Sequence, residues 1–133
     1  MSPPKKLITG TESDLNNNSV VIWLVYKKTS LLLTGDAAFE AENEIIKKGF
    51  NIKSTVLKIG HHGSSTSTSE KFLKYVKPKI AIISAGKKNR YHHPHPSLLK
   101  RLQDRDCKVY RTDISGTITI KSDGQLLSIK SSK

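Results

Sequence analysis

Three features of the 133-residue sequence predict an α/β domain. Short apolar runs rich in β-branched residues alternate with stretches of helical periodicity, in the order strand, helix, strand, helix, strand. Polar, glycine-marked loops fall where those runs end, which is where open α/β sheets place their ligands. The length fits one domain near the small end of the usual range, where burial of apolar surface is less complete.

Residues 1–14 are polar, lack periodicity and are expected to form a flexible leader, leaving 15–133 as the domain. Residues 19–26 (SVVIWLVY) suit a buried strand, and 31–34 follow after Lys27-Lys28-Thr29-Ser30 as the second arm of a hairpin. Residues 37–48 read as a helix, with Ala41, Ile45 and Lys48 on one face and Gly49 as its stop. A strand over 55–59 ends abruptly in Gly60-His61-His62-Gly63-Ser64. Ser67-Thr68-Ser69-Glu70 has the capping-box spacing, which predicts a helix over 69–76 before Pro78. Residues 80–84 form a short strand and 86–95 a polar loop, and Pro96 is placed to open a helix ending near Gln103. The tail, 109–129, reads as two or three antiparallel strands with Asp123-Gly124 as a hairpin turn.

Charge is unevenly placed. Twenty-three Lys and Arg against eleven Asp and Glu give +12, and between Ile45 and Arg101 thirteen basic residues face the single acid Glu70. Such a segment favours a polyanionic partner such as DNA, although a solvated Lys-rich surface would look the same. Few aromatic residues are interleaved with the basic ones, so no stacking platform for single strands is evident. Cys107 is alone, which excludes an intrachain disulfide and a cysteine-based zinc cluster and points to a buried structural thiol. No stretch approaches the roughly 18 apolar residues of a membrane helix, so the chain is not expected to insert directly. The start lacks the apolar run of a signal peptide.

Three loops carry candidate chemistry. Thr34-Gly35-Asp36 puts a carboxylate at the end of an apolar strand, as a metal ligand or general base requires; the same Asp would also serve as the N-cap of the following helix. His61-His62-Gly63-Ser64 ends the next strand. Adjacent histidines at a strand end project in opposite directions, so that one imidazole could bind a metal while the other meets substrate or moves a proton; alternation would set His61 on the face of Leu57 and Ile59, a phase that a loop can break. Ser64 and Thr68 belong to a run of hydroxyls ahead of a helix N-terminus, a seat for phosphate. In the third loop, Asn89-Arg90-Tyr91-His92-His93-Pro94-His95, Arg90 suits a phosphate, and His93 and His95 suit phosphate or metal. Asp and His from separate strand ends are ligands for Zn²⁺, at about 2.0–2.2 Å. A pair of ions ~3.5–4 Å apart can clamp both oxygens of a phosphoryl displacement. A Ser–His–Asp hydrolase lacks support, because no G-x-S-x-G elbow is present.

Taken in order, Asn17-Asn18-Ser19-Val20-Val21, Leu33-Thr34-Gly35-Asp36, Leu57-Lys58-Ile59-Gly60-His61-His62-Gly63-Ser64, Asn89-Arg90-Tyr91 with His93-Pro94-His95, and Arg111-Thr112-Asp113 resemble the metallo-β-lactamase-like C-terminal domain of ComEC-type competence proteins. The resemblance implies part of an αββα metallo-β-lactamase fold, its C-terminal half, with a mixed sheet and flanking helices. It implies one or two divalent ions, Zn or Mn, with Asp36 bridging them and His61 or His62 as a further ligand. On that basis Asp36 and His61 are assigned to metal and His62 to catalysis; chemistry and neighbourhood, rather than the resemblance, assign His95 to catalysis and Ser64, Thr68, Asn89 and His93 to phosphate. It further implies a soluble domain of an inner-membrane DNA-uptake protein, on the extracytoplasmic side, with nuclease activity on the strand that is not imported. The H-x-H-x-D-H segment expected upstream of Asn17 is absent, and no histidine precedes His61. The chain is therefore expected to be inactive alone and to need the rest of its parent protein. His92 stands where the family usually has Gly. A non-catalytic basic module that binds DNA by charge is the rival reading, and a phosphodiester substrate other than DNA is a third.

Overall fold

The computed structural model describes residues 6–133. In chain order it places α1 (Asp14–Asn17), β1 (Ile22–Tyr26), β2 (Thr29–Leu33), α2 (Phe39–Lys47), β3 (Val56–Lys58), a tight turn over Gly60–Gly63, α3 (Glu70–Val76), β4 (Ile80–Ile83), α4 (Pro96–Gln103), β5 (Lys108–Arg111), α5 (Thr112–Ser115), β6 (Ile118–Ser122) and β7 (Leu127–Ser131). Strands β1 to β5 form one sheet in sequence order. β1 and β2 make the antiparallel hairpin the sequence predicts, and β2 to β5 run parallel. This mixed sheet with flanking helices is the expected α/β architecture.

Right-handed crossovers between successive parallel neighbours put α2, α3 and α4 on one face of the sheet. The register agrees: Leu32, Leu57, Ala81 and Val109 lie in one row across the strands. The first three of these share a buried cluster with Ala41 and Ile45 of α2, Phe72, Leu73 and Val76 of α3, and Leu98 and Leu102 of α4. Cys107 is buried beside them, and burial pushes its thiol up to about 11, consistent with a structural role. The opposite face is also apolar but less covered. Ile22 and Leu24 are 44% and 51% exposed, and a cleft of about 370 Å³ opens between Leu24, Leu31 and Val56 on the sheet and Ile120 and Leu127 on the β6–β7 hairpin.

The tail corrects one expectation. β5 is no member of an antiparallel array; it joins the main sheet in parallel, with Val109 beside Ala81. Only β6 and β7 pair antiparallel, around Asp123-Gly124, where Gly124 takes φ +89° and the Asp123 carboxylate accepts from the Gln125 and Leu126 N–H groups at 2.8 and 2.7 Å. The alternation of a short strand does not reveal its neighbour. The α4 crossover does, because a strand–helix–strand path returns parallel.

Caps also differ in detail. Pro96 opens α4 as expected, with His95 as its N-cap. For α3 the cap is Ser69, whose Oγ accepts from Phe72 N–H at 3.1 Å; Ser67, expected in that role, is buried and donates to the Gly60 carbonyl at 2.8 Å. Asp36 does not cap α2. The N-cap there is Ala38, with no polar side chain, and the fully buried Asn17 reaches across instead. Its Oδ1 accepts from the Ala38 and Ala41 N–H groups at 3.1 and 3.4 Å, while its amide donates to Thr11 and Glu40. Nearby, Asn18 exchanges hydrogen bonds with the Ile8 backbone at 3.0 and 2.8 Å. Residues 1–5 of the expected leader lie outside the described residues.

Glu42 is a buried carboxylate with a defined task. It accepts from the backbone N–H of Thr68 and, at 2.9 Å, of Ser69, while Arg101 donates to the carbonyls of Ser65, Ser67 and Thr68. Together they clamp the segment that follows the histidine pair. Burial raises Glu42 to about 7, against the hydrogen bonds and Arg101, which lower it. A folded-state value above the unfolded one means that the native state holds the extra proton. Stability therefore falls as pH rises from about 4.5 to 7, by up to about 3 kcal/mol. His93, held low mainly by burial, acts in the opposite sense. The difference between wild type and Glu42→Gln in urea unfolding at pH 5 and pH 7 isolates the term: the wild type loses stability relative to the variant on going to pH 7. A constant difference would refute this assignment.

Candidate functional site

Four parallel strands end at one edge of the sheet, and the loops that follow them build the site. β2 leads into Thr34-Gly35-Asp36, β3 into the Gly60–Gly63 turn, β4 into Ser84-Ala85-Gly86, and β5 into Arg111-Thr112-Asp113. The first two are joined by backbone: His61 N–H donates to the Gly35 carbonyl at 3.0 Å. Asp36 N–H donates to Ser19 Oγ at 3.1 Å, which fixes the loop carrying the carboxylate. Gly35 has φ +55°, and a Cβ there would lie 2.9 Å from the Cβ of Ser19, so only glycine allows the approach.

The strand phase expected for His61 does not persist past β3. His61 and His62 are successive left-handed residues, at φ +46° and +53°, so the chain turns instead of alternating. Left-handed backbone costs about 1–2 kcal/mol per non-glycine residue, and such strain collects at functional sites. The turn aims His62 at Asp36, with Nε2 3.7 Å from Oδ1. His62 Nδ1 lies 2.8 Å from the Ser84 carbonyl and donates to it, which leaves Nε2 as the lone-pair nitrogen. Both side chains are about half exposed. His61 points elsewhere: its Nε2 is 3.4 Å from Asn16 Nδ2, its Nδ1 is buried without a partner, and its ring meets His93 edge-on at 5.7 Å.

A carboxylate oxygen and an imidazole nitrogen 3.7 Å apart fit one divalent ion, since two bonds of about 2.0–2.2 Å span that gap. Among the described residues no group of three or more His, Cys, Asp or Glu converges to hold a metal. Asp36 and His62 are thus two groups of metal-ligating type with no third beside them among the described residues. Lys58, on β3 just before the turn, is held below its ordinary range by burial, partly countered by Asp36.

The other sequence candidates sit around this pair. The Ser64 hydroxyl bonds Thr66 at 3.0 Å, and Thr68 is buried beneath the same segment. Asn89 is engaged within its own loop, donating to the carbonyls of Gly86 and His93 at 2.9 and 2.7 Å and accepting from His93 N–H at 2.8 Å. His93 is half-buried, its pKa lowered by burial and then by the nearby His61, His62 and His95. His95 is exposed at the start of α4, its Nδ1 accepting from Ser97 N–H at 3.2 Å. The histidine loops touch at Gly63, whose carbonyl accepts from His95 N–H at 2.8 Å.

His92 takes φ +55°, which explains why glycine suits that position. His92→Gly is expected to raise stability by about 0.5–1 kcal/mol, the left-handed strain relieved less the entropy of glycine, read from urea unfolding. A lower midpoint would contradict this.

Sequence reasoning missed Asn16 beside His61 and Ser84 behind His62, and it quoted Ser19 and Thr112 in motifs without a role: Ser19 lies under Asp36, and the Thr112 hydroxyl exchanges hydrogen bonds with the Ala85 backbone at 2.9 Å in both directions. The one signal for Asn16 was the polar run 16–19 set directly against an apolar strand.

Comparison with known proteins adds to this geometry. Residues 7–87 match the metallo-beta-lactamase superfamily. The chain is 52% identical over 103 residues to ComE operon protein 3 of Bacillus subtilis, covering 77% of this chain and 13% of that protein. It is 43% identical over 117 residues to Recombination protein 2 of Haemophilus influenzae, covering 88% and 14%. It is 41% identical over 106 residues to Competence protein ComA of Neisseria gonorrhoeae, covering 79% and 15%. The chain therefore spans between 13% and 15% of the length of these relatives. Among the described residues no helix is long and apolar enough to cross a membrane.

Proposed function

The chain belongs to the metallo-beta-lactamase superfamily, and from that premise we propose that it supplies one side of the metal site of a phosphodiesterase that cleaves DNA during uptake. The observation that carries this reading is the meeting of Asp36 and His62 at 3.7 Å where β2 and β3 end. Asp36 and His62 would hold the ion from this side, together with donors beyond this pair. The ion, when bound, supplies charge stabilisation and lowers the pKa of water to about 7.

The residues of this chain do the rest. Ser84 fixes the His62 ring with Nε2 outward, and Ser19 holds the Asp36 loop. His93, kept neutral by its surroundings, donates a ring N–H to a phosphate oxygen. His95, anchored through Nδ1, offers Nε2 to protonate the leaving oxygen. Asn89 lines the cleft beside His62 and fixes the backbone of His93. The excess of basic residues brings DNA to the surface by charge. The relative named for competence supports a DNA-uptake setting; within this proposal the chain is an appendage of a membrane protein, on the extracytoplasmic side.

The test is cleavage of DNA by a protein that joins this chain to its remaining donors. Turnover should need Mn²⁺ or Zn²⁺ and stop with a chelator. The uneven charge favours one rival, a basic module that binds DNA without cutting it. That module would lose affinity steeply with salt, show no turnover and ignore the chelator.

A further inference from the structure

Resting on the phosphodiesterase reading, we propose that the cleft beside His62 seats one unpaired nucleobase, with Tyr91 as its stacking wall, so that the strand offered to the site is single. A cleft of about 430 Å³ runs from His62, past residues 84–86, to Tyr91 and His93. That volume lies within the range of small-ligand sites.

Its far wall is formed by Tyr91 and His93, with His61 behind them. His93 meets His61 edge-on at 5.7 Å, and Tyr91 stacks on His93 at 5.8 Å with 26° between the planes. Tyr91 is nevertheless 62% exposed. The Arg90 guanidinium lies 4.8 Å from the Tyr91 ring centre and donates to its hydroxyl at 2.7 Å. An exposed cation–π contact is worth about 2- to 5-fold in affinity, whereas a base on an aromatic ring gains about 5- to 150-fold. An incoming base therefore displaces the guanidinium or is covered by it.

The loop is organised before any ligand arrives. The three hydrogen bonds of Asn89 tie Gly86 and His93 together and hold Tyr91 between them. A wall already in place loses little entropy when it binds. Around it, Lys87, Lys88 and Arg90 are exposed, and no acidic residue occurs between Glu70 and Asp104. The surface thus offers cations to a phosphate chain and one ring to a base. A paired base is stacked on both sides and cannot present a face to Tyr91; an unpaired base can. The sequence, with few aromatics among its basic residues, showed no such platform. Folding makes one from Tyr91 and His93.

The test is fluorescence anisotropy of the full 133-residue chain with labelled DNA in a chelator. Three probes are compared: a short single strand, the same strand in duplex, and the strand with abasic sites. The wild type should prefer the normal single strand over the other two. Tyr91→Ala should weaken its binding about 5- to 150-fold and leave the abasic strand unchanged, whereas Tyr91→Phe should stay within about twofold of wild type. Equal affinity of wild type for normal and abasic strands, tighter binding of the duplex, or no binding of any probe would each overturn the proposal. Because no metal is present, a failure of the hydrolase reading leaves this result standing. A failed stack likewise leaves the cleavage test untouched.

Discussion

Asp36→Asn, in a protein that joins this chain to its remaining donors, is expected to cut DNA cleavage by about 10²–10³-fold and to lower bound metal. The substitution replaces a charged oxygen with a neutral amide of nearly the same shape. Its backbone N–H still donates to Ser19 Oγ, so the loop and the fold remain. What disappears is one anionic donor facing His62 Nε2 at 3.7 Å. A bound ion contributes several kcal/mol to the transition state, and each 1.36 kcal/mol lost is tenfold in rate. His62→Ala should match that loss. His61→Ala should lose less, because its Nε2 faces Asn16 instead of the carboxylate. The measurements are metal content by elemental analysis and turnover with added Mn²⁺ or Zn²⁺. Equal turnover and metal content in wild type, Asp36→Asn and His62→Ala would sink the metal assignment. A larger loss at His61 than at His62 would reverse the roles given to the pair.

Gly63→Ala should destabilise the chain by about 2–5 kcal/mol. Gly63 has φ +90°, and a Cβ there would lie 2.7 Å from Pro94 Cβ, 3.0 Å from Pro94 Cα and 3.1 Å from Leu98 Cδ2. Left-handed strain contributes about 1–2 kcal/mol, and forcing a methyl into packed atoms about 1–3 kcal/mol. Gly49→Ala is the internal control. It also has positive φ, +69°, but nothing lies within 4 Å of the added carbon, so only the strain of about 1–2 kcal/mol should appear. Urea unfolding of both variants separates collision from strain. Equal losses would mean that the Gly63–Pro94 contact yields freely.

Much of the frame could be read from local chemistry. Gly49 ends α2 in the left-handed region, Pro96 opens α4, and the hairpin of β1 and β2 follows from two apolar runs around a polar four. Asp36 was legible as a strand-end carboxylate, and the two histidine loops as a charged mouth. What stayed hidden depends on contacts between distant residues. β5 carries no mark of the strand it will join. The direction of His61 and His62 is set by two left-handed residues, which the period of a strand cannot express. Asn17 caps α2 from 21 residues away, and Ser84 orients His62 from 22 residues away. Tyr91 looked like one aromatic among many lysines until the loop folded it against His93.

The main-chain bond from His61 to Gly35 involves no side chain. The gap between the two strand ends is therefore inherited by any sequence that keeps the glycine and the turn, whatever stands at positions 36 and 62. The side chains at positions 36 and 62 are thus set by sequence, and the spacing between them by the main chain. A thiolate in place of the carboxylate would shift preference toward softer ions without rebuilding the backbone.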